Sequence, residues 1–334
     1  MTAIVLLEQV GEDRLNEEVI VSKEAAGTMG SRLGLGTGDK LTYNDLLYGL
    51  MLCSGNDAAV QIAISVSGSV ENFVELMNKK AIELGLENTH FVTPHGLDRE
   101  GHYTTALELA KIADYALNIP KIAKLVSTKE YTVTINGYPK ALSNTNELLG
   151  NLLGVYGIKT GFTNGANRCL VTACKRNDMD IICVVLGCDT KKFRTQDSIK
   201  LIEYAYKNFE YVNISEKINK EFKKWKTENI ENFCITKGIT SNIDLEYSDL
   251  SNPIIPIRKS EIESLNVNIS SNYSLNAPIK ENTVIGRVTV TVNTVEILSL
   301  EILSNNSIEK KNFINYFTEV LKNYAMVLNS FTSL

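Results

Sequence analysis

The chain has 334 residues, long enough for two domains with at least one sizeable core. A hydrophobic content of 44% with 22% charged residues is that of an ordinary globular protein, which excludes a disordered or fibrous chain. The net charge of -5 comes without a basic stripe interleaved with aromatics, so no nucleic acid is expected, and no run of 18 apolar residues exists to span a bilayer.

At the amino terminus, Thr2-Ala-Ile-Val-Leu-Leu7 is an apolar run with no N-cap and no polar lead-in. A fully apolar helix belongs in a core, so the expectation is a buried helix whose first turns lie upstream of a truncated or misassigned start. It lacks the basic lead and small-residue cleavage site of a signal peptide. Thr42-x-x-Asp45 predicts a capping box ahead of a helix bearing Leu46, Leu47, Leu50 and Met51. Ser54-Gly55 ends that helix, and others are expected over 57–66, 70–84 and 105–117, with a loop rich in Pro, Gly and His over 89–103. Strand signals follow at 131–135 and 154–159, then a hairpin, and a helix over 198–209.

The hairpin carries Cys169, Cys174, Cys183 and Cys188. Centring its turn on Asn177-Asp178, residues that tolerate positive φ, sets Cys174 opposite Ile181 and Cys183 opposite Thr172, so that no cysteines pair. A turn shifted by one residue would instead align Cys174 with Cys183 and Cys169 with Cys188. With Cys53 and Cys234 the chain has six cysteines and no CxxC, which argues against zinc. Residues 1–207 thus read as an α/β (α+β) domain with an antiparallel sheet. Residues 213–305 read as a small all-β domain of short β-branched strands, in which Val288-Thr-Val-Thr-Val-Asn293 alternates cleanly. Residues 308–331 predict an amphipathic helix with Phe313, Phe317, Leu321, Tyr324, Leu328 and Phe331 on one stripe. It either docks on its own domain or lies on a membrane surface.

Ser54-Gly-Asn56 and, about a hundred residues later, Lys159-Thr-Gly161 carry the chemistry. Acyl transfer from a peptide needs a nucleophile, a base, a proton carrier to the leaving amine and a grip on the substrate. Lys159 on a strand can reach a cleft beside the sheet, orient a terminal carboxylate and lower the pKa of a neighbouring lysine. Ser54 can carry a proton and the Asn56 amide can hold substrate backbone, while Gly161 lets a peptide lie close along the strand edge. Each motif alone is a common turn or loop; the order and spacing make the pair informative.

The two motifs are those of penicillin-recognising serine enzymes. With Met1-Thr-Ala-Ile-Val, Leu50-x-x-Cys-Ser-Gly-Asn-Asp57, Leu84-Gly-Leu-x-Asn-Thr-His-Phe91, Pro94-His-Gly-Leu-Asp98 and Gly157-Ile-Lys-Thr-Gly-Phe-Thr163, the chain resembles serine-type D-alanyl-D-alanine carboxypeptidases, the low-molecular-mass penicillin-binding proteins. The resemblance is strong over 1–207 and weaker over the β domain. It implies a β-lactamase/transpeptidase-like fold, peptidoglycan stem peptides ending in D-Ala-D-Ala as substrate, β-lactams as inhibitors, no cofactor and no metal. It also implies an extracytoplasmic, membrane-associated setting, with 308–331 as a peripheral membrane contact. It assigns Ser54, Asn56 and Lys159 to catalysis and Thr160, Gly161 and Arg194 to substrate binding; a solvated surface arginine is the alternative for Arg194. The family's nucleophile is a Ser-x-x-Lys just before the Met-Thr-Ala helix. No such motif precedes Ser54, so the expectation is that the nucleophile is absent and these residues alone are inactive. The implied lysine-based mechanism leaves His90, His95 and His102, which lack metal-site spacing, structural.

Two other readings stand beside this one. A class A β-lactamase adds a glutamate that activates water, and Glu147-Leu-Leu-Gly-Asn151 imitates that element but lies too close to Lys159. A non-catalytic peptidoglycan-binding protein would keep the cleft without the nucleophile.

Overall fold

The apolar run at the amino terminus forms α1 (Thr2–Val10), which buries Ile4 and Leu6 almost completely and has no side-chain cap at its start. The computed structural model describes residues 1–332, with side chains through Ala325. The chain divides into two units, Met1–Lys207 and the remainder from Asn208 onward.

In the first unit α1 is followed by β1 (Glu18–Ile20), α2 (Lys23–Ala26), β2 (Lys40–Thr42), α3 (Tyr43–Leu52), α4 (Asn56–Ser67) and α5 (Val70–Glu83). Next come α6 (Ala106–Leu117), α7 (Pro120–Ser127), β3 (Glu130–Ile135), β4 (Tyr138–Ser143), β5 (Val155–Thr163), β6 (Asn167–Arg176), β7 (Met179–Cys188) and α8 (Lys191–Asn208). Short-range chemistry sets several helix starts. Thr42 and Asp45 form the expected capping box of α3, and the hydroxyls of Ser69 and Thr105 accept from the backbone of Asn72 and Glu108 at the starts of α5 and α6. Strands β5, β6 and β7 form an antiparallel sheet in that order, which leaves β5 at an edge. Asn177 takes φ +51°, and the hairpin register sets Cys174 opposite Ile181 and Cys183 opposite Thr172. Helix α7 approaches β5 at Gly157, where a Cβ would lie 2.9 Å from a Val126 methyl. Helices α1, α3, α4 and α5 share one apolar core with the inner face of this sheet.

The short elements β1, α2 and β2, together with α7 and β4, are not signalled by the sequence pattern, and α8 starts at Lys191 rather than 198. Its first turns read as polar, and α8 buries only Arg194, Ser198 and Ile202.

The second unit contains β8 (Phe209–Asn213), α9 (Ser215–Asn229), β9 (Cys234–Thr236), β10 (Leu245–Tyr247), β11 (Ile254–Arg258), β12 (Leu265–Ser271), β13 (Ser274–Asn276), β14 (Val284–Val292), β15 (Val295–Ser304) and α10 (Phe313–Thr332). A four-stranded sheet in the order β10-β15-β14-β12 builds its core on Val288, Val290 and Ile302. The β character expected here holds, with α9 added. That lysine-rich helix buries only Ile218 and Phe222, too few apolar positions to signal a helix among strands.

The described part of the terminal helix presents its apolar stripe uncovered. Phe313, Phe317, Leu321 and Tyr324 are all exposed, from 51% for Leu321 to 82% for Phe313. Leu328 and Phe331 lie outside the described side chains.

Candidate active site

Ser54 sits in the short link between α3 and α4 with φ +59°, a left-handed turn that breaks one helix and lets the next begin at Asn56. Gly55 is closely surrounded, since a Cβ would lie 3.1 Å from the Leu33 amide nitrogen and 3.0 Å from Asp57 Oδ1, so that either would have to shift. Asp57 is fully buried and anchors the link. Its carboxylate accepts from the backbone amides of Leu33 and Gly34 at 2.7 Å and of Leu35 at 2.9 Å. The Asn56 amide Nδ2 donates to the Met29 carbonyl at 2.7 Å, which fixes the side chain at the mouth of the link. That bond uses one of the two N–H groups, so the other N–H and the amide oxygen are not committed by it.

Strand β5 supplies the opposite wall. Lys159 Nζ donates to the Thr160 carbonyl at 3.0 Å. Its ammonium is pushed down to about 8, mostly by burial and slightly by the charge of Arg194, against an opposing contribution from Cys53. Thr160 Oγ1 lies 2.7 Å from Thr145 Oγ1. Gly161 has open space: a Cβ there would meet only Cys169 Cβ, at an ordinary 3.7 Å. The chain's own packing does not demand glycine at this position, whereas a peptide lying along the β5 edge would.

These residues converge. A cavity of about 340 Å³ is lined by Ser54, Asn56, Lys159 and Thr160 together with Met1 and Thr2 at the start of α1. The Thr2 hydroxyl donates to the Pro94 carbonyl at 2.6 Å. An adjoining cleft of about 490 Å³ shares Ser54, Asn56 and Thr160 and adds Gly161 and Arg194. All six residues singled out in the sequence thus line two adjoining concavities.

Arg194 is not a solvated surface residue. It is 3% exposed and bonds to Glu147 at 3.0 Å, while its Nε has no partner among the described residues. Thr195 also donates to the Glu147 carboxylate. With Glu147 committed to Arg194 and Thr195, the water-activating role of a β-lactamase glutamate has no observation in its favour here.

The histidines hold backbone. His95 Nδ1 accepts from Leu97 N and His102 Nδ1 accepts from Val92 N, both at 3.1 Å, and His90 Nδ1 lies 2.7 Å from the Gly101 carbonyl oxygen. Burial pushes His95 down to about 4 and lowers His102 as well. Residues that motif reading left unassigned also line the cleft. Asp98 accepts from the Gly165 amide at 2.9 Å, tying the end of the Pro94–Asp98 stretch to the β5–β6 turn, and Arg168 and Lys191 face the same space. Asp98 was visible as part of a motif; Arg168 and Lys191 had no local signal.

A serine-type acyl-transfer fold, with a Ser-x-Asn turn facing a Lys-Thr-Gly strand across a cleft, is the class that this architecture defines. The comparisons with known proteins agree. The family profile described as D-alanyl-D-alanine carboxypeptidase matches residues 1–190, and that of the penicillin-binding protein 5 C-terminal domain matches residues 236–310. The chain is 31% identical to the D-alanyl-D-alanine carboxypeptidase DacF of Bacillus subtilis over 330 residues, covering 97% of this chain and 82% of that protein. It is 31% identical to DacC of Escherichia coli over 94% of this chain and 77% of the relative. The solved structure of penicillin binding protein 5 from Haemophilus influenzae superposes with a TM-score of 0.74 at 28% identity, covering 92% of this chain and 88% of that one. The chain belongs to the serine D-alanyl-D-alanine carboxypeptidase family.

Proposed function

We propose that this cleft serves removal of the terminal D-Ala from peptidoglycan stem peptides ending in D-Ala-D-Ala, and that β-lactams occupy the same cleft. The observation that carries the reading is the meeting of Ser54 and Asn56 with Lys159 and Thr160 around one cavity, from segments about a hundred residues apart. The peptide lies along the open edge of β5, with its terminal carboxylate drawn toward Lys159, Thr160 and Arg194. A serine oxygen attacks the penultimate D-Ala carbonyl, the C–N bond breaks, and D-Ala leaves with a proton passed through Ser54. Water then cleaves the ester and releases the shortened peptide. No serine of residues 1–207 is followed three positions later by lysine.

The test is fluorescent-penicillin labelling and D-Ala release from a D-Ala-D-Ala peptide. Residues 1–334 are compared with a chain extended at its amino terminus by a Ser-x-x-Lys segment. Labelling of the extended chain alone is expected, with Ser54→Ala and Lys159→Ala each lowering acylation by about two to four orders of magnitude. Neither labelling nor D-Ala release from the extended chain overturns the activity; near-normal acylation of both variants overturns the motif assignment. Labelling of residues 1–334 places the nucleophile among their own serines.

The exposed apolar stripe of α10 supports a second reading, peripheral attachment to a membrane in an extracytoplasmic setting. No helix of the described residues is long and apolar enough to cross a membrane, so the helix would lie on the surface.

A further inference from the structure

Two carboxylates line the cleft beside Gly161, and both are committed. Asp98 accepts from the Gly165 amide at 2.9 Å and is held ionised chiefly by the Thr163 hydroxyl and that amide. Glu147 bonds to Arg194 at 3.0 Å and to Thr195. The cleft also contains Arg168 and Lys191, and among the described residues neither belongs to an ion pair. Arg168 stands opposite Phe162 in the β5–β6 register, and its guanidinium lies 4.2 Å from the centroid of that exposed ring. The contact is a cation–π pair, and it does not neutralise the guanidinium charge. Lys191, the first residue of α8, stands one turn before Arg194. Its charge reaches Glu147, which already serves Arg194, so one carboxylate faces two cations there. The cleft therefore holds more positive than negative charge, although the whole chain is net -5.

We infer that Arg168 and Lys191 form a second anion subsite, which takes a free carboxylate on the acyl portion of the peptide in addition to the terminal one. Phe162 is three residues beyond Lys159, about 10 Å along a strand rising about 3.3 Å per residue. An extended peptide whose terminal carboxylate sits at Lys159 reaches Arg168 with the residue two or three places before its end. The chemical class selected is thus a D-Ala-D-Ala peptide with an acidic, unamidated residue at that place. The inference rests on the carboxypeptidase reading and adds to it a substrate preference.

The test is titration of acetyl-Glu-D-Ala-D-Ala against acetyl-Gln-D-Ala-D-Ala at pH 7 and low salt, by calorimetry on the full chain. The two ligands have the same shape and differ by one charge. The Glu peptide is expected to bind about five- to tenfold tighter, a charge-assisted contact at a solvent-accessible site, and the ratio should shrink toward one at 0.5 M salt. The double variant Arg168→Gln, Lys191→Gln should bring the Glu-to-Gln ratio close to one. Because the ratio is taken within each protein, a general loss of affinity cancels. Equal binding of the two peptides by the unaltered chain, or a preference that survives the double variant, overturns the subsite alone. If neither peptide binds, the placement of the terminal carboxylate at Lys159 falls and the subsite falls with it, whereas the carboxypeptidase reading is judged by labelling of the extended chain.

Discussion

The Arg194 guanidinium donates to the Glu147 carboxylate at 3.0 Å, joining residues 47 positions apart at the cleft proposed for the terminal carboxylate. In the proposed function, a cation that draws the substrate anion is thereby held in place by an internal one. Glu147 is 41% exposed in its side chain, so the pair is partly screened. Glu147→Gln is expected to lower stability by about 1 kcal/mol or somewhat more, because Arg194 loses a charged acceptor while buried. It should also raise affinity for a D-Ala-D-Ala peptide a few-fold, since a competing carboxylate is gone. Chemical denaturation and peptide titration check the two effects separately; an unchanged affinity would show that Arg194 does not face the ligand.

Lys159 gives a pH signature. Its ammonium titrates at about 8 instead of the ordinary 10.5, chiefly because of burial. Below pH 8 it is charged and attracts a carboxylate; above, it is neutral. Peptide affinity is expected to fall several-fold between pH 7 and 9, and Lys159→Gln should flatten that fall. The stability contribution has the opposite sign. The unfolded chain keeps this proton up to about 10.5, so it binds more protons than the folded chain over that window, and stability from this group rises with pH there. Affinity falling while stability rises identifies a buried lysine; parallel changes would point to another group.

His95 should weaken the fold in acid. Burial holds it neutral down to about pH 4, whereas the unfolded chain takes up this proton near 6.5. Stability from this group is therefore complete above 6.5 and is lost as pH falls toward 4, at up to about 1.4 kcal/mol per pH unit. His95→Gln, which keeps an acceptor for the Leu97 amide, is expected to remove that part of the acid limb in denaturation curves. An identical acid limb in the variant would refute the assignment.

Helix α10 is tested by removing residues 313–334 rather than everything after 307. Ile308 is 1% exposed and pairs with Ile279, so it belongs to the core of the second unit. The shortened chain should keep its fold and cease to co-sediment with vesicles of phosphatidylethanolamine and phosphatidylglycerol. Burying several large apolar side chains at about 1.5 to 3 kcal/mol each is sufficient for peripheral attachment. An intact chain that never co-sediments would remove the membrane reading.

The sequence alone determined whatever depends on neighbours along the chain. The capping box at Thr42 and Asp45, the break at Ser54-Gly55 and the preference for a turn at Asn177 all arise from contacts within a few residues, while the structure chose between the two cysteine registers that the hairpin allowed. The two motifs are likewise local, and their order and spacing were enough to indicate the family. Only the tertiary structure decided the partners. Glu147 has a side chain compatible with many roles until α8 brings Arg194 to it. Asp98 belongs to a readable motif, but its bond to Gly165 crosses 67 positions. Helix α9 escaped notice because only Ile218 and Phe222 are buried along it. The stripe on α10 shows the same periodicity whether a helix is docked or bare, since amphipathicity records which face is apolar and not what covers it. Charge at the cleft follows the same logic: the sequence counts lysines, arginines and carboxylates, and the fold decides which of them neutralise one another.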